Sequence, residues 1–294
     1  MKNPWKIAFI ISLALFSLGG IFFYQQARLN DGKLHVVFCN VGQGDAIFIR
    51  TPKGLDILVD GGPELSSVLS CLSNHMPFWD RTIEVVALTH PHADHLVGLI
   101  SVLKRYKVGS FITEKLENKT QSFRELMKIV EDKKISVRYG FAGDRLITKD
   151  GVVFQVLSPS EEFLQRTSPS GVIGESGEFA SLILLVSYGE FDILLTGDSQ
   201  ITGLEEALGV QPLSQLEVFQ VAHHGSKTGL SEEVLSEVRP RLAVISVGKN
   251  NKYGHPHKEV IEILRDKDIK ILRTDLDGEV EIISDGKGWG LVDH

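Results

Sequence analysis

The segment Val85-Val86-Ala87-Leu88-Thr89-His90-Pro91-His92-Ala93-Asp94-His95 runs from an apolar strand directly into four potential metal ligands. Alternate side chains of an extended segment point to the same side, so His90 and His92 can bind one ion. Asp94 and His95 then begin a helix and point at a second position. Mixed imidazole and carboxylate ligands suit zinc, with manganese or iron as alternatives. A solvated histidine-rich turn is the competing interpretation, but it leaves the density of ligands unexplained.

The same pattern, a short apolar strand that ends in polar residues, recurs after residue 33. Strands this apolar are buried on both faces, so helices must cover the sheets. Ligand sites in layered α/β proteins lie at the carboxyl ends of strands. The other strand ends of this kind are Val41-Gly42-Gln43-Gly44-Asp45, Asp60-Gly61-Gly62, Thr196-Gly197-Asp198, His223-His224-Gly225-Ser226 and Gly248-Lys249-Asn250.

The remaining pattern is typical of a layered α/β protein. Apolar residues at helical spacing predict helices at residues 96–106, 123–130, 234–238 and 259–265. Residues 158–177 are rich in Ser, Pro, Gly and Glu, and they predict a long surface loop between two halves. Apart from the N-terminus, no shift in composition marks a domain boundary, so residues 33–294 are predicted to form one domain.

The composition excludes some classes of protein. A net charge of −7 argues against a protein that binds nucleic acid over its whole surface, although a small basic site on an acidic body remains compatible with it. Two cysteines, Cys39 and Cys71, are too few for a disulfide framework or a Cys-rich zinc site. A buried, inert thiol is expected for Cys39, and a single disulfide between the two residues is the alternative.

The N-terminus predicts a membrane anchor. Residues 1–6 carry Lys2 and Lys6, and residues 7–24 are uncharged, with an apolar core that would span roughly 25 Å as a helix. Trp5 and Tyr24 flank this core as interfacial aromatic residues do. A cleaved signal peptide, which would make the protein secreted, is the alternative, but the expected small residues before a cleavage site are missing. Lysines on the short side place the domain outside the cytoplasm, after a polar linker at residues 25–32.

Several further residues are persuasive only as a set. Asp198 and Asp60 each follow a buried strand and could be ordinary turn aspartates. His223 and His224 would not indicate a site by themselves. The loop that holds His255-Pro256-His257 has no acidic residue at positions 246–258, and its lysines are Lys249, Lys252 and Lys258. It is either a solvated basic loop or a cation patch for an anionic substrate.

The order of these motifs resembles the metallo-β-lactamase superfamily: Asp60, His90-x-His92-x-Asp94-His95, Asp198 and a late histidine. More narrowly, the motifs are similar to the extracellular hydrolase domain of the ComEC/Rec2 competence proteins, over residues 34–283. The motifs that carry this similarity are Val41-Gly42-Gln43-Gly44-Asp45, Leu195-Thr196-Gly197-Asp198, His223-His224-Gly225-Ser226-Lys227 and Gly248-Lys249-Asn250-Asn251-x-Tyr253-Gly254-His255-Pro256-His257.

The resemblance implies a four-layer αββα sandwich that holds two divalent ions, zinc most often and manganese as the alternative. His90 and His92 would bind the first ion and Asp94, His95 and His224 the second, with Asp198 bridging both. Asp60 would orient a ligand by hydrogen bonding. The acid-free basic loop further predicts that His223, His255 and either Lys249 or Lys252 stabilise charge on the substrate or leaving group, and Asp94 would take part in catalysis as a ligand. Between the adjacent histidines, His224 is preferred as the ligand and His223 as the substrate contact.

Two departures from the family pattern concern the first ion and the membrane. Many superfamily members have another histidine between the His-rich motif and the bridging aspartate, whereas residues 96–197 contain none. The competence branch also lacks it and has a serine there, a position that Ser181 resembles. Competence proteins of that branch have a many-helix membrane domain, and here one anchor stands in its place.

The predicted activity is metal-dependent hydrolysis of an anionic ester, most readily a phosphodiester, with water activated between two ions. A nuclease acting on DNA and a phosphodiesterase acting on wall-linked or lipid-linked phosphates both fit this prediction. The alternative from another class is a catalytically weak or inactive anchored accessory protein of DNA uptake or of the cell surface. The predicted partners are the anionic substrate and the membrane, and no obligate protein partner is expected.

Overall fold

The computed structural model describes residues 4–174, 180–213 and 215–292. Its strands are β1 (Leu34–Phe38), β2 (Ile47–Arg50), β3 (Asp56–Val59), β4 (Thr82–Leu88), β5 (Lys107–Thr113), β6 (Ser136–Tyr139), β7 (Arg145–Ile147), β8 (Val153–Ser158), β9 (Ile183–Tyr188), β10 (Phe191–Leu195), β11 (Val218–Gln220), β12 (Leu242–Ile245), β13 (Lys270–Arg273), β14 (Val280–Ser284) and β15 (Trp289–Val292). Its helices are α1 (Pro4–Leu29), α2 (Ser67–His75), α3 (Ala93–Arg105), α4 (Gln121–Asp132), α5 (Glu161–Thr167), α6 (Ile201–Val210), α7 (Glu232–Val238), α8 (Lys258–Asp266) and α9 (Thr274–Asp277), with a short 3-10 turn at His223–Gly225.

The strands form two mixed sheets. One has eight strands in the order β15-β14-β1-β2-β3-β4-β5-β6, and the other has seven in the order β13-β12-β11-β10-β9-β8-β7. Strands β3 to β6 are parallel to one another, and so are β10 to β13. Parallel neighbours require long crossover connections, most of which are helices here. The carboxyl ends of both parallel sets therefore deliver their loops to one edge of the molecule.

Helices cover both outer faces of the paired sheets. Apolar side chains from the inner faces of the two sheets, such as Phe38, Val59 and Ile193, pack against each other in a common core. Helices α2, α3 and α4 bury a second apolar cluster against the first sheet. Helices α6, α7 and α8 bury a third against the second sheet. These four layers confirm the predicted αββα sandwich.

The predicted loop at residues 158–177 is wrong for part of its length, because α5 lies inside it. The Ser160 hydroxyl caps this helix by accepting a hydrogen bond from the Phe163 backbone N–H at 3.0 Å. Phe163 and Leu164 are buried in a small cluster of their own. The helix has about two turns, and its two apolar residues are adjacent, so the sequence shows no apolar residues at helical spacing. Residues 175–177 of the predicted loop lie outside the described residues.

The two cysteines form a disulfide, so the expectation of an inert thiol at Cys39 is wrong. Cys39 directly follows β1, and Cys71 lies on α2, which packs over the same sheet. Their Cα atoms are 5.8 Å apart, within the usual range for a disulfide. The bond ties the start of the Val41–Asp45 motif to the helix layer.

The N-terminal helix extends beyond the predicted apolar segment. It begins at Pro4 and continues to Leu29, so most of the predicted linker at residues 25–32 is helical. The window Pro4–Gln26 has a mean hydropathy of 2.2, and none of it is buried against the rest of the protein. Helix α1 is therefore long and apolar enough to cross a membrane.

Candidate metal centre

The loop after β4 is held in place by Asp60, at the end of β3. The Asp60 carboxylate accepts hydrogen bonds from the Thr89 backbone N–H at 2.8 Å and from the Thr89 hydroxyl at 2.7 Å. Helix α3 begins four residues later, at Ala93, so Asp94 and His95 lie on its first turn. The end of β3 and the loop that leads from β4 into α3 are therefore held together by hydrogen bonds that involve no metal ion.

Four side chains from three elements form what we call the second group: Asp94, His95, Asp198 and His224. One potential ligand atom from each lies within 4.8 Å of the others. Asp198 Oδ1 is 3.2 Å from His95 Nε2 and 3.3 Å from His224 Nε2. Ligands of a tetrahedral ion are separated by roughly 3.3–3.5 Å when each lies about 2.0–2.2 Å from it. These three atoms are buried and have no hydrogen bond within the described part of the chain, so they fit a bound cation.

His90, His92 and Asp198 form what we call the first group. His90 Nε2 lies 3.0 Å from His92 Nδ1 and 3.7 Å from Asp198 Oδ2. Asp198 therefore turns one carboxylate oxygen to each group, which is the arrangement of a bridging ligand. Among the described residues, the first group has three potential ligands, whereas the second has four.

Hydrogen bonds to the other ring nitrogens orient the histidines of the second group. His95 Nδ1 donates to Asp60 Oδ2 at 2.8 Å, and His224 Nδ1 donates to the Ser246 carbonyl oxygen at 2.9 Å. Each bond leaves Nε2 as the nitrogen that faces the group. His223 lies differently: its ring is 28% exposed, and its Nε2 is 3.7 Å from Asp198 Oδ2. The structure thus places His224 among the potential ligands and His223 beside them.

An unusual backbone turn separates the two adjacent histidines. His223 and His224 have φ angles of 52° and 56°, in the left-handed region that non-glycine residues rarely adopt. Such a turn costs energy and persists only where the surroundings enforce it. Gly225 follows with a φ of 79°, and a Cβ atom there would lie 2.5 Å from Pro256 Cβ. Pro256 and the turn are therefore packed against each other.

The charge states of two buried groups, His90 and Asp198, agree with ligand roles, whereas the nearby carboxylates outweigh burial and raise the pKa values of His95 and His224, so that these two histidines would have to lose a proton to bind a cation. Burial and the neighbouring His95 hold the pKa of His90 well below its usual range, so its imidazole is neutral and can donate a lone pair. Burial alone would raise the pKa of Asp198, but His224 and His95 outweigh it and hold the pKa well below normal. Asp198 is therefore a carboxylate at neutral pH.

Asp45 belongs to the centre, although the sequence assigned it no role. It is buried, its Oδ2 accepts a hydrogen bond from Gln220 Nε2 at 2.8 Å, and its carboxylate lies 3.8–3.9 Å from the Nδ1 atoms of His95 and His224. Burial raises its pKa to about 6 against the opposing effect of those two histidines. In the sequence, Asp45 could have been found as the last residue of the Val41–Asp45 motif. The structure shows why this motif lies at the centre: a Cβ on Gly44 would lie 2.1 Å from the Asp94 carbonyl oxygen, so the two segments are in close contact.

Two other buried polar residues lie near residues that support the centre: Ser181 near Thr89, and Glu114 near Asp60. A Cβ on Gly197 would lie 2.5 Å from Ser181 Oγ and 2.8 Å from Thr89 Oγ1, so Ser181 adjoins the residues that hold His90. Glu114, directly after β5, was not anticipated. Its carboxyl group is fully buried with no hydrogen bond in the described part of the chain, and burial raises its pKa well above normal.

The loop after β12 borders the centre on its solvent side. The His255 ring lies 5.7 Å from that of His223, and the Gly248 N–H donates to Gln43 Oε1 at 3.1 Å. Burial and the nearby His223 lower the pKa of His255 to about 4. The predicted cation patch is smaller than expected, because Lys258 forms an ion pair with Glu262 on α8 at 2.8 Å. All three lysines are exposed, and Lys249 and Lys252 are the two for which the described residues provide no ion pair.

Comparison with known proteins agrees with this geometry. A profile of the metallo-β-lactamase superfamily matches residues 39–249. The chain belongs to this superfamily. Its fold therefore implies divalent metal ions, and its architecture is that of a metal-dependent hydrolase.

Curated relatives of this superfamily member include competence proteins, which confirms the narrower resemblance. ComE operon protein 3 of Bacillus subtilis is 29% identical over 268 residues, which cover 86% of this chain and 33% of that protein. Recombination protein 2 of Haemophilus influenzae is 30% identical over 246 residues, 83% of this chain and 28% of that protein. The chain spans about a third of the length of these relatives.

Solved structures show the same fold at low sequence identity. The metallo-β-lactamase fold protein YhfI from Bacillus subtilis matches 82% of this chain and 97% of its own, with a TM-score of 0.53 and 11% identity. Zn²⁺-bound PqqB from Methylobacterium extorquens matches 82% and 98%, with a TM-score of 0.51 and 12% identity. These similarities extend over the sandwich and concern the fold alone.

Proposed function

We propose that the protein is a membrane-anchored phosphodiesterase that uses two divalent ions, zinc or manganese, to hydrolyse an anionic ester. The observation that carries the proposal is the pair of ligand groups that share Asp198. Ions bound there supply Lewis acidity and activated water. A phosphodiester suits the site because its negative charge matches the cations and the lysines of the adjoining loop.

Residues around the two groups would bind and orient the substrate. His223 and His255 face the solvent side of the ligands, within reach of an ester bound there. Lys249 and Lys252 are exposed on the same loop and would attract a phosphate oxygen. Asp60 and the Ser246 carbonyl hold the ligand imidazoles in one orientation, which reduces reorganisation during turnover.

The test is turnover of bis-p-nitrophenyl phosphate by the purified full-length chain loaded with Zn²⁺ or Mn²⁺. Asp198→Asn removes the shared ligand and should abolish turnover. Lys249→Ala should raise KM several-fold, whereas the matched variant Lys258→Ala should leave KM unchanged, because Lys258 already pairs with Glu262.

Two outcomes would contradict the proposal. A metal-loaded chain that turns over no phosphodiester, including single-stranded and double-stranded DNA, would favour an anchored accessory protein without catalysis. Equal changes in KM for Lys249→Ala and Lys258→Ala would contradict the proposed role of the loop in substrate binding, although not the role of the two ligand groups. Cleavage of either DNA substrate would identify a nuclease.

A further inference from the structure

The loop at residues 77–80 presents two exposed aromatic side chains beside the end of α1. Phe78 and Trp79 are 55% and 37% exposed. The Trp79 ring lies 4.6 Å from that of Phe22 on α1, and the Phe78 N–H donates to Gln25 Oε1 at 3.3 Å. This loop, which we call the aromatic loop, is therefore in contact with the last turns of the apolar helix.

The aromatic loop lies at the edge of the sandwich opposite the metal centre. Strands β1, β3 and β4 run in the same direction, since β2 is antiparallel to both β1 and β3, and β3 is parallel to β4. Their starts form what we call the base edge, and their ends lead to the ligands at the metal edge. Asp80 confirms the position of the loop, because its carboxylate is 3.5 Å from the guanidinium of Arg50, at the base-edge end of β2.

Helix α1 reaches the domain at this same base edge. It ends at Leu29, and β1 begins at Leu34. The apolar window ends at Gln26, so the aromatic loop contacts α1 where the helix would emerge from a bilayer. Tryptophan and other aromatic side chains are enriched at this level of a membrane, where an apolar ring and a polar environment meet.

We propose that the aromatic loop is a membrane-contact surface that inserts Phe78 and Trp79 into the lipid interface. The occupant is the lipid surface because the patch is continuous with the exposed aromatic residues at the end of α1, Phe22, Phe23 and Tyr24. Two contacts with the bilayer, α1 and the loop, fix the tilt of the domain. The metal edge then faces away from the lipid, by about the length of β4, roughly 23 Å for seven residues.

This inference rests on the membrane anchoring that is part of the proposed function, and its test separates the two. The chain contains three tryptophans, Trp5, Trp79 and Trp289. Three full-length chains, each with a single tryptophan, are reconstituted in phosphatidylcholine vesicles whose acyl chains carry bromine near the headgroup, which quenches tryptophan emission on contact. One chain keeps Trp79, one keeps Trp5, and one carries Leu65→Trp, with phenylalanine at every other tryptophan position.

The Trp5 chain reports whether α1 is in the bilayer. Leu65 is 52% exposed and follows Gly62 at the metal edge, so the Leu65→Trp chain reports on that edge. We expect the Trp5 and Trp79 chains to lose most of their emission and the Leu65→Trp chain to lose little.

Quenching of the Trp5 chain without the Trp79 chain would overturn the loop contact while leaving the anchor intact. Quenching of all three would overturn the proposed orientation. An unquenched Trp5 chain would overturn both the anchor and the contact that depends on it.

Discussion

The two ligand groups differ in the number of side chains that could bind an ion, and this difference should affect how tightly each ion is held. The second group offers four side chains, whereas the first offers His90, His92 and the shared Asp198. Fewer protein ligands leave more of the coordination shell to water or substrate, so we expect the first ion to be held less tightly. Asp198 would affect the binding of both ions, because one of its carboxylate oxygens faces each group.

Metal content should follow this asymmetry. Wild-type chain loaded with Zn²⁺ should contain two ions and lose one of them first during dialysis against a weak chelator. His92→Ala should retain one ion per chain, and Asp198→Asn should lose affinity for both. Inductively coupled plasma mass spectrometry measures each case, and a His92→Ala chain that still held two ions would show that the first group is assigned wrongly.

His35, far from the metal centre, makes stability depend on pH. Its Nδ1 lies 2.8 Å from Glu281 Oε1 and its Nε2 lies 2.9 Å from Asp31 Oδ1. Burial disfavours the imidazolium, but the hydrogen bonds to both carboxylates outweigh burial and raise the pKa of His35. A group whose pKa is higher in the folded state stabilises the fold fully below its unfolded pKa, about 6.5, and loses that contribution as pH rises through its folded pKa.

Replacing His35 should therefore matter more in acid than in alkali. His35→Gln should lower the free energy of unfolding by roughly 1–2 kcal/mol at pH 6 and by less at pH 9. Urea denaturation at the two pH values measures the difference. Equal losses at both would mean that the neutral ring makes the same contribution as the charged one.

At the scale of elements, two glycines in helices have opposite surroundings. A Cβ on Gly98, inside α3, would lie 1.8 Å from the Gly61 carbonyl oxygen, because α3 crosses the Asp60-Gly61-Gly62 turn at close range. Gly209, in α6, has no atom within 4 Å of such a Cβ. Gly98 therefore allows the helix that carries Asp94 and His95 to approach the turn that carries Asp60.

The two glycines give a matched pair of variants. Gly209→Ala should stabilise the chain by about 0.5–1 kcal/mol, because alanine is the better helix former. Gly98→Ala should destabilise it by roughly 2 kcal/mol or more despite the same gain in propensity, and should weaken binding of the second ion. Thermal unfolding and metal titration are the measurements, and a stabilised Gly98→Ala chain would contradict the close packing.

The elements found by sequence were those with a clear apolar pattern. The strands around the metal centre and helices α3, α4, α7 and α8 follow from apolar spacing, whereas the sandwich followed from the resemblance of the motifs to the metallo-β-lactamase superfamily. Helix α5 was missed because its two apolar residues, Phe163 and Leu164, are adjacent and give no helical spacing. The assembly of the ligands followed from strand ends, whereas the hydrogen bond from Gln220 to Asp45 joins residues far apart in sequence. The distinction between His223 and His224 depends on a local turn, which spacing does not encode.

At the scale of the whole molecule, helix α1 and the candidate ligands lie at opposite edges of one sandwich. Helix α1 meets the base edge, while the proposed catalytic residues lie at the ends of the strands. If the domain stands on the bilayer by its base edge, the headgroups of the same membrane lie below the reach of the metal edge. This geometry favours substrates that arrive from solution over phospholipids of the supporting leaflet.

This preference for dissolved substrates can be measured with phosphatidylcholine, presented either in a bilayer or as dissolved short-chain monomers. Reconstituted chain should hydrolyse bis-p-nitrophenyl phosphate and should not cleave phosphatidylcholine in its own vesicles. Any cleavage of phosphatidylcholine should appear only with a short-chain form dissolved as monomers. Faster cleavage of the bilayer lipid than of the dissolved lipid would contradict the orientation.

The Cys39–Cys71 disulfide can form and persist only where the surroundings of the domain are oxidising. Structural disulfides persist in oxidising compartments and are rare in the reducing cytosol. The lysines before α1 predict that the domain lies on the outer side of the membrane, and the disulfide favours the same side for a different reason. Chain isolated from its native membrane should resist thiol alkylation until it is reduced. Chain expressed in a reducing cytosol should carry two thiols beside the Val41–Asp45 motif, and its metal affinity should be judged only after reoxidation.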